Sequence, residues 1–191
     1  MQFEKAYSFL IEKLDKELPD YLHYHTSNHT KDVIAAAEHL SKTENVYGEE
    51  LTILKTAALF HDAGFLETYS DHEEISCKMS RAWLPQFDYS KEEIEKICEL
   101  ILVTKMPQNP KNKLEQIICD ADLFYLGTDK FFVTADKLYK ELHEAGFVKN
   151  KDDWRESEIK FLRAQHYFTA SAKKELDVRL AESLLQLENR A

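Results

Sequence analysis

Glycine and proline are nearly missing from this chain, four of each in 191 residues. Both residues punctuate turns, so their scarcity excludes a fold of many short strands joined by tight hairpins and favours long helices. Cysteine is scarce too, with only Cys77, Cys98 and Cys119, far apart and odd in number. Such a set is neither a disulfide framework nor a zinc knuckle, and we read the three as reduced, buried thiols. Positive charge is the third shortage. Lysine and arginine total 25 against 35 aspartates and glutamates, a net charge of −10, and no basic block occurs anywhere. That excludes sequence-independent binding to a nucleic acid polymer, which rests on neutralising phosphates. No uninterrupted apolar stretch is long enough to span a bilayer. The first residues, with Glu4, Glu12 and Asp15, lack the basic-then-apolar layout of a secretion signal. The expectation is a cytoplasmic protein with no membrane partner.

What is present is helical periodicity. Phe3, Ala6, Tyr7, Leu10, Leu14 and Leu18 recur at helical spacing until Pro19 stops the run. Residues 20–27 read as a polar and aromatic loop. A second helix is expected from Asn28, taken as its N-cap, through Val33, Ala36, Ala37 and Leu40. A third runs from about Glu49 to Asp62. Its last turns, Ala57-Ala58-Leu59-Phe60, are apolar on every side, the mark of a helix buried in the middle of a protein, and Gly64 reads as its C-terminal stop. Ser70 or Asp71 caps a fourth helix that reaches Trp83 and Leu84 before Pro85. Ser90 and Glu93 form a capping box for a fifth, with Ile94, Ile97, Cys98 and Ile101 inward. Beyond a loop bounded by Pro107 and Pro110, Leu114, Ile117, Ile118 and Leu123 describe a sixth that carries Asp120 and Asp122.

Residues from about Thr128 to Ala145 are helical up to Gly146, and a long amphipathic region follows, broken near Phe168–Ser171. Its Leu176, Leu180, Leu184 and Leu187 either close the chain's own core or face a second copy in a homodimer. The length suits one well-buried domain, and no repeat, low-complexity tract or linker appears. The expected architecture is therefore a single all-α domain over residues 1–191, a helical bundle whose C-terminal helices occupy 131–191.

The chemistry-bearing residues centre on His61-Asp62. Upstream stands Tyr24-His25-Thr26-Ser27-Asn28-His29 and downstream Asp120-Ala121-Asp122. Imidazole and carboxylate together suit a divalent transition metal. Neighbouring side chains on a helix diverge, so the pair needs ligands from other helices. In order and spacing, His29, His61-Asp62 and Asp122 resemble the HD superfamily of metal-dependent phosphohydrolases over roughly residues 20 to 130. Asn28-His29-Thr30-Lys31-Asp32-Val33 looks like the family's first ligand helix. Ala57-Ala58-Leu59-Phe60-His61-Asp62-Ala63-Gly64 looks like its signature buried helix, and Asp120-Ala121-Asp122-Leu123 like its last ligand element.

The resemblance implies an HD/phosphodiesterase-like bundle with one firm divalent ion on His29, His61, Asp62 and Asp122. Manganese, iron, zinc, magnesium, cobalt and nickel are all candidates. Neutral imidazoles and carboxylates leave positions open for water and substrate, as a catalytic metal requires. Asp122 is preferred to Asp120 because it holds the family position before an apolar residue, which leaves Asp120 to orient a ligand histidine. Some members carry two further histidines for a second metal. His72 stands where the first often lies, but Thr104 stands in place of the other, so His72 either touches phosphate or completes a weaker site. Tyr24-His25 resembles the pair that opens the catalytic motif of cyclic-nucleotide phosphodiesterases, where the histidine protonates the leaving ribose oxygen. Thr26 replaces the asparagine usual after it, so this likeness extends to the metal core alone. The other reading of His25 is a loop histidine held by a backbone carbonyl.

The implied activity is hydrolysis of a small phosphomonoester or phosphodiester, a nucleotide among the candidates, by metal-activated water. Asp62 would orient that water or take its proton, and His25 or His72 would assist the leaving group. The rival is a non-catalytic helical module that senses a metal or a nucleotide. Lys105, Lys111 and Lys113 either gather phosphate at the mouth of the site or are solvated charges. Phe124, Tyr125, Phe131 and Phe132 read as core, with one member free to stack on a base.

Overall fold

Helix α3 (Gly48–Phe60) is the axis of the fold. Ile53, Leu54 and the run Thr56–Phe60 are buried around its whole circumference, as the unbroken apolar pattern requires. The side chain of Phe60 alone contributes about 1.5–3 kcal/mol by leaving water. Around this axis pack α1 (Phe3–Glu17), α2 (Ser27–Glu44), α5 (Lys91–Leu102) and α6 (Lys113–Asp122), while α4 (His72–Trp83) lies against α5. Helices α7 (Phe131–Glu144), α8 (Lys151–Ala164) and α9 (Ala170–Glu188) complete the chain. The structure is a computed structural model and describes residues 1–189; among these there is no strand. Short 3-10 turns at Ala63–Leu66, Leu84–Phe87 and Phe124–Gly127 join successive helices.

Several helix ends depart from the sequence expectations. Helix α2 begins at Ser27 with Thr26 as its N-cap, so Asn28 lies inside the first turn. Thr26 is placed there by its N–H, which bonds the carbonyl of Tyr24 at 2.8 Å, and its own carbonyl accepts from Thr30 at 3.2 Å. Helix α3 ends at Phe60, two residues early. His61 keeps helical angles, but Asp62 turns out at φ −104°, ψ 7°. Gly64 is no left-handed stop. It sits in the following 3-10 turn, where a Cβ would lie 2.0 Å from the backbone oxygen of His72. Its N–H donates to Ser76 Oγ (2.8 Å), and that hydroxyl donates to the carbonyl of His61 (2.7 Å). The start of α4 is thereby pressed onto the end of α3.

Other local signals hold. The capping box at Ser90 and Glu93 is formed, and Gly146 takes a positive φ of 79° just after α7. The break in the C-terminal region covers residues 165–169, slightly ahead of the expected place, and Thr169 caps α9. Leu176, Leu180 and Leu187 are buried in the chain's own core, where α9 packs on the 124–127 turn, on α8 and on α2. Gly127 permits this approach, because a Cβ there would come within 2.5 Å of Leu176 Cβ. All three cysteines are free and buried, and Cys77 Sγ donates to the carbonyl of Cys98 at 3.5 Å across α4 and α5. Among the described residues no helix is long and apolar enough to cross a membrane.

Candidate metal centre

His29 points inward from the first turn of α2, His61 and Asp62 from the end of α3, and Asp122 from the last position of α6. The exit of the chain from α3 between His61 and Asp62 makes these neighbours converge instead of diverging, with His61 Nε2 3.1 Å from Asp62 Oδ2. His61 Nδ1 lies 2.8 Å from the carbonyl of Ala58 and donates to it, which leaves the lone pair of the neutral ring on Nε2. That nitrogen stands 3.3 Å from His29 Nε2 and 3.5 Å from Asp122 Oδ1. His29 Nε2 is 3.4 Å from both Asp62 Oδ2 and Asp122 Oδ1. A cation held at ~2.0–2.2 Å by tetrahedral nitrogen and oxygen donors needs them ~3.3–3.6 Å apart. The spacings match that demand closely. Asp62 Oδ2, moreover, is buried without a hydrogen-bond partner, a costly state that a cation would relieve.

Without an ion, the carboxylates and His61 hold one another charged. Burial opposes charge on His61, Asp62 and Asp122, yet the opposing attractions win. Burial would lower the pKa of His61, but the carboxylates of Asp62 and Asp122 hold it well above the ordinary value. Burial would raise Asp62, but His61 and His72 keep it well below the usual range. Asp122, again against burial, is held down to about 2 by His29 and His61. Two carboxylates that keep their charge in a buried pocket form a seat for positive charge.

His72, the first residue of α4, sits beside the cluster. Its Nδ1 is 3.3 Å from the carbonyl of Tyr69, and its Nε2 is 3.4 Å from Asp62 Oδ1 and 3.6 Å from Glu73 Oε1. Asp62 thus spans two environments, Oδ2 toward the histidine pair and Oδ1 toward His72. Thr104 is buried nearby and spends its hydroxyl on the carbonyl of Ile101 (2.7 Å), closing the turn after α5. His25, in the loop before α2, is held by the buried carboxylate of Glu141 through Nδ1, and not by a backbone carbonyl. Its ring stacks on Phe65 with centroids 4.3 Å apart, and the same Phe65 stacks on His72 at 4.1 Å.

Asp120 does something other than expected. Its Oδ1 accepts from the N–H of Phe168 (2.7 Å), and its Oδ2 from the N–H and hydroxyl of Thr169 (2.8 and 2.7 Å). Standing two residues from Asp122 on one helix, it faces away from the histidines. It ties the α8–α9 connection to α6. Lys105 is engaged by Asp71 (2.6 Å) and Glu74 (2.7 Å), and Lys113 by the carbonyl of Glu44 (3.1 Å).

Residues 26–125, more than half of the chain, match the family model of the HD domain. The chain belongs to the HD-domain family. Its fold is shared with a predicted HD superfamily hydrolase from an uncultured Thermotogales bacterium. That structure aligns with a TM-score of 0.63 at 18% identity over 95% of this chain and 89% of the other. It is shared also with Bacillus subtilis YpgQ, solved in complex with ADP, at a TM-score of 0.64 and 20% identity over 100% and 97% of the two chains. No curated protein sequence matches the chain. HD domains bind divalent metals, and this one gathers His29, His61 and Asp122 into a compact, mostly buried group with Asp62 beside it.

The HD centre opens onto a cavity of about 320 Å³. His25, Asp62, His72 and Asp122 stand at one end, and Phe131, Leu138, Trp154, Phe161 and Leu162 from α7 and α8 line the other. A larger cavity of about 550 Å³ lies beyond Tyr24 and Tyr125, with His29 and Asp122 on its inner side and Lys130 and Lys137 in its wall. Sequence reasoning missed Glu141 and the α8 contribution. The one available signal was spacing: Glu141 falls on the same face of α7 as Phe131, Leu138 and Ala135, a charged residue on an inward stripe.

Proposed function

We propose that this HD domain is a metal-dependent phosphohydrolase of small phosphoesters, with nucleotides as the favoured class. The observation that carries the reading is the convergence of His29, His61, Asp62 and Asp122 on one point at the end of a cavity, with Asp62 Oδ2 lacking any hydrogen-bond partner. These four side chains would hold one divalent ion. Such an ion supplies Lewis acidity and lowers the pKa of bound water. The residues of the chain supply the rest. Asp62 keeps its charge and reaches from the ligand cluster to His72. His25 and His72, fixed on the two contacts of Phe65, border the cavity where a leaving group would sit.

Among the described residues lining the smaller cavity there is no lysine or arginine, so phosphate charge there falls to the ion and the two histidines. Its α7 and α8 side is mainly aromatic and aliphatic, with Ser157 and Glu158 as its polar members, which suits a planar base with polar edges. That the neighbour of like fold from Bacillus subtilis binds ADP supports the same class. The test is elemental analysis of the purified protein, followed by a panel of phosphomonoesters and of linear and cyclic diesters. We expect one bound transition metal per chain and chelator-sensitive hydrolysis of nucleotides. A metal-loaded protein that cleaves nothing in the panel would overturn the reading in favour of a sensor module.

A further inference from the structure

Glu141 stands on α7, beyond the segment matched to the HD family, and its side chain is fully buried. An ionised carboxylate in that position is costly unless its lone pairs are filled. Here all are. Oε2 accepts the N–H of Tyr24 (2.9 Å) and the N–H of His25 (3.0 Å); Oε1 accepts the hydroxyl of Tyr69 (2.9 Å) and Nδ1–H of His25. A carboxylate has about four such sites, so Glu141 is saturated by the loop that precedes α2 and by the turn that precedes α4. Burial would raise its pKa, and the bonds from His25 and the two backbone groups hold it below the ordinary value instead.

The two backbone bonds alone would suffice to fix the loop. The bond to Nδ1 does more. Phe65 sets the plane of the His25 ring by stacking, but a ring in that plane still has two orientations related by a half-turn. Glu141 distinguishes them. We infer that Glu141 is the positioning residue for His25, fixing the Nδ1–H tautomer and turning Nε2 toward the cavity that Asp62 and His72 share. The kinetic part of this inference rests on the proposed function; the tautomer does not. A second nitrogen aimed at the cavity is the group that exchanges a proton with a bound phosphoester, as in other sites where a carboxylate orients a histidine.

Glu141→Gln tests the assignment. The single amide oxygen of glutamine can serve the two backbone N–H groups, and its NH₂ then faces Nδ1, which must accept. We expect nitrogen NMR of the imidazoles, with His25 identified by its loss in His25→Gln, to show Nδ1–H in the wild type and Nε2–H in the variant. We expect kcat to fall by about 100-fold, the lower range of positioned proton transfer, with KM and metal content retained. A wild-type ring that lacks Nδ1–H, or a glutamine variant that keeps the wild-type kcat, overturns the inference. If the variant fails to fold, the wild-type spectrum decides alone. If the wild type cleaves no phosphoester, the proposed function fails while the spectra still decide the tautomer.

Discussion

At Asp62 the two oxygens of one carboxylate meet different neighbours, and the consequences of substitution follow from that. His61→Ala and Asp62→Ala each remove a donor from the converging set, so bound metal and hydrolysis should be lost together. The loss of activity should exceed the 10–100-fold typical of a ligand's outer partner, read by elemental analysis beside phosphate release. Wild-type turnover in either variant would refute the ligand assignment. Asp120→Ala should behave otherwise. It strands the buried N–H groups of Phe168 and Thr169, at a cost of about 2–4 kcal/mol in denaturant unfolding, while metal stays bound. Glu141 supplies a pH dependence. Its folded pKa lies below the ordinary 4.5, so its stabilisation is fully present above that value and is lost as pH falls through the folded pKa. The wild-type Tm should therefore drop on the acid side, and Glu141→Gln should lower Tm at neutral pH yet flatten that acid limb. The candidate quartet of His29, His61, Asp62 and Asp122, which the fold brings together, was readable in the sequence because each member sits in a short, type-specific motif. Glu141 was not, since its partners lie 116 and 117 residues away and nothing local distinguishes it from a surface glutamate.

Helix ends decide the geometry at the next scale. The exit from α3 after Phe60 aims His61 and Asp62 at one point, and the contact at Gly64 sets where α4 begins and hence where His72 stands. Gly64→Ala sets a Cβ against a backbone oxygen that cannot rotate away, so it should cost about 1–3 kcal/mol or more and also impair catalysis by shifting His72. Unfolding midpoints and steady-state rates of the variant check both; unchanged values would mean that α4 gives way freely. The capping box of α5 was legible from Ser90 and Glu93 because both halves of the motif are local. The start of α2 was misplaced because two polar residues, Thr26 and Asn28, compete for the cap, and the bond from Thr26 to Tyr24 that decides it belongs to the preceding loop. Gly64 was misread for a related reason. A glycine after a helix suggests a left-handed stop, whereas its real constraint comes from a helix that begins eight residues later.

For the whole molecule, the all-α architecture followed from the lack of glycine and proline and from the buried run ahead of His61. The walls of the cavity did not, because α7 and α8 carry no motif and reach the centre only through tertiary packing. A buried centre whose carboxylates hold their charge should couple metal to stability. An ion at a thousand times its Kd adds about 4 kcal/mol, so a chelator should lower Tm and readdition of metal should restore it, seen by calorimetry. An unchanged Tm would place the ion elsewhere. The ties from Asp120 to Thr169 and from His25 to Glu141 carry a further meaning for a chain made from its N-terminus onward. His29, His61, Asp62 and Asp122 all leave the ribosome before α7, and α2, α3 and α6 pack on one another without it. The carboxylate that turns His25 and the segment that Asp120 holds to α6, however, come only in the last third of the chain. The candidate ligands thus precede, in the order of synthesis, the ties that finish their surroundings, so a chain stalled before Glu141 carries His29, His61, Asp62 and Asp122 without the carboxylate that orients His25.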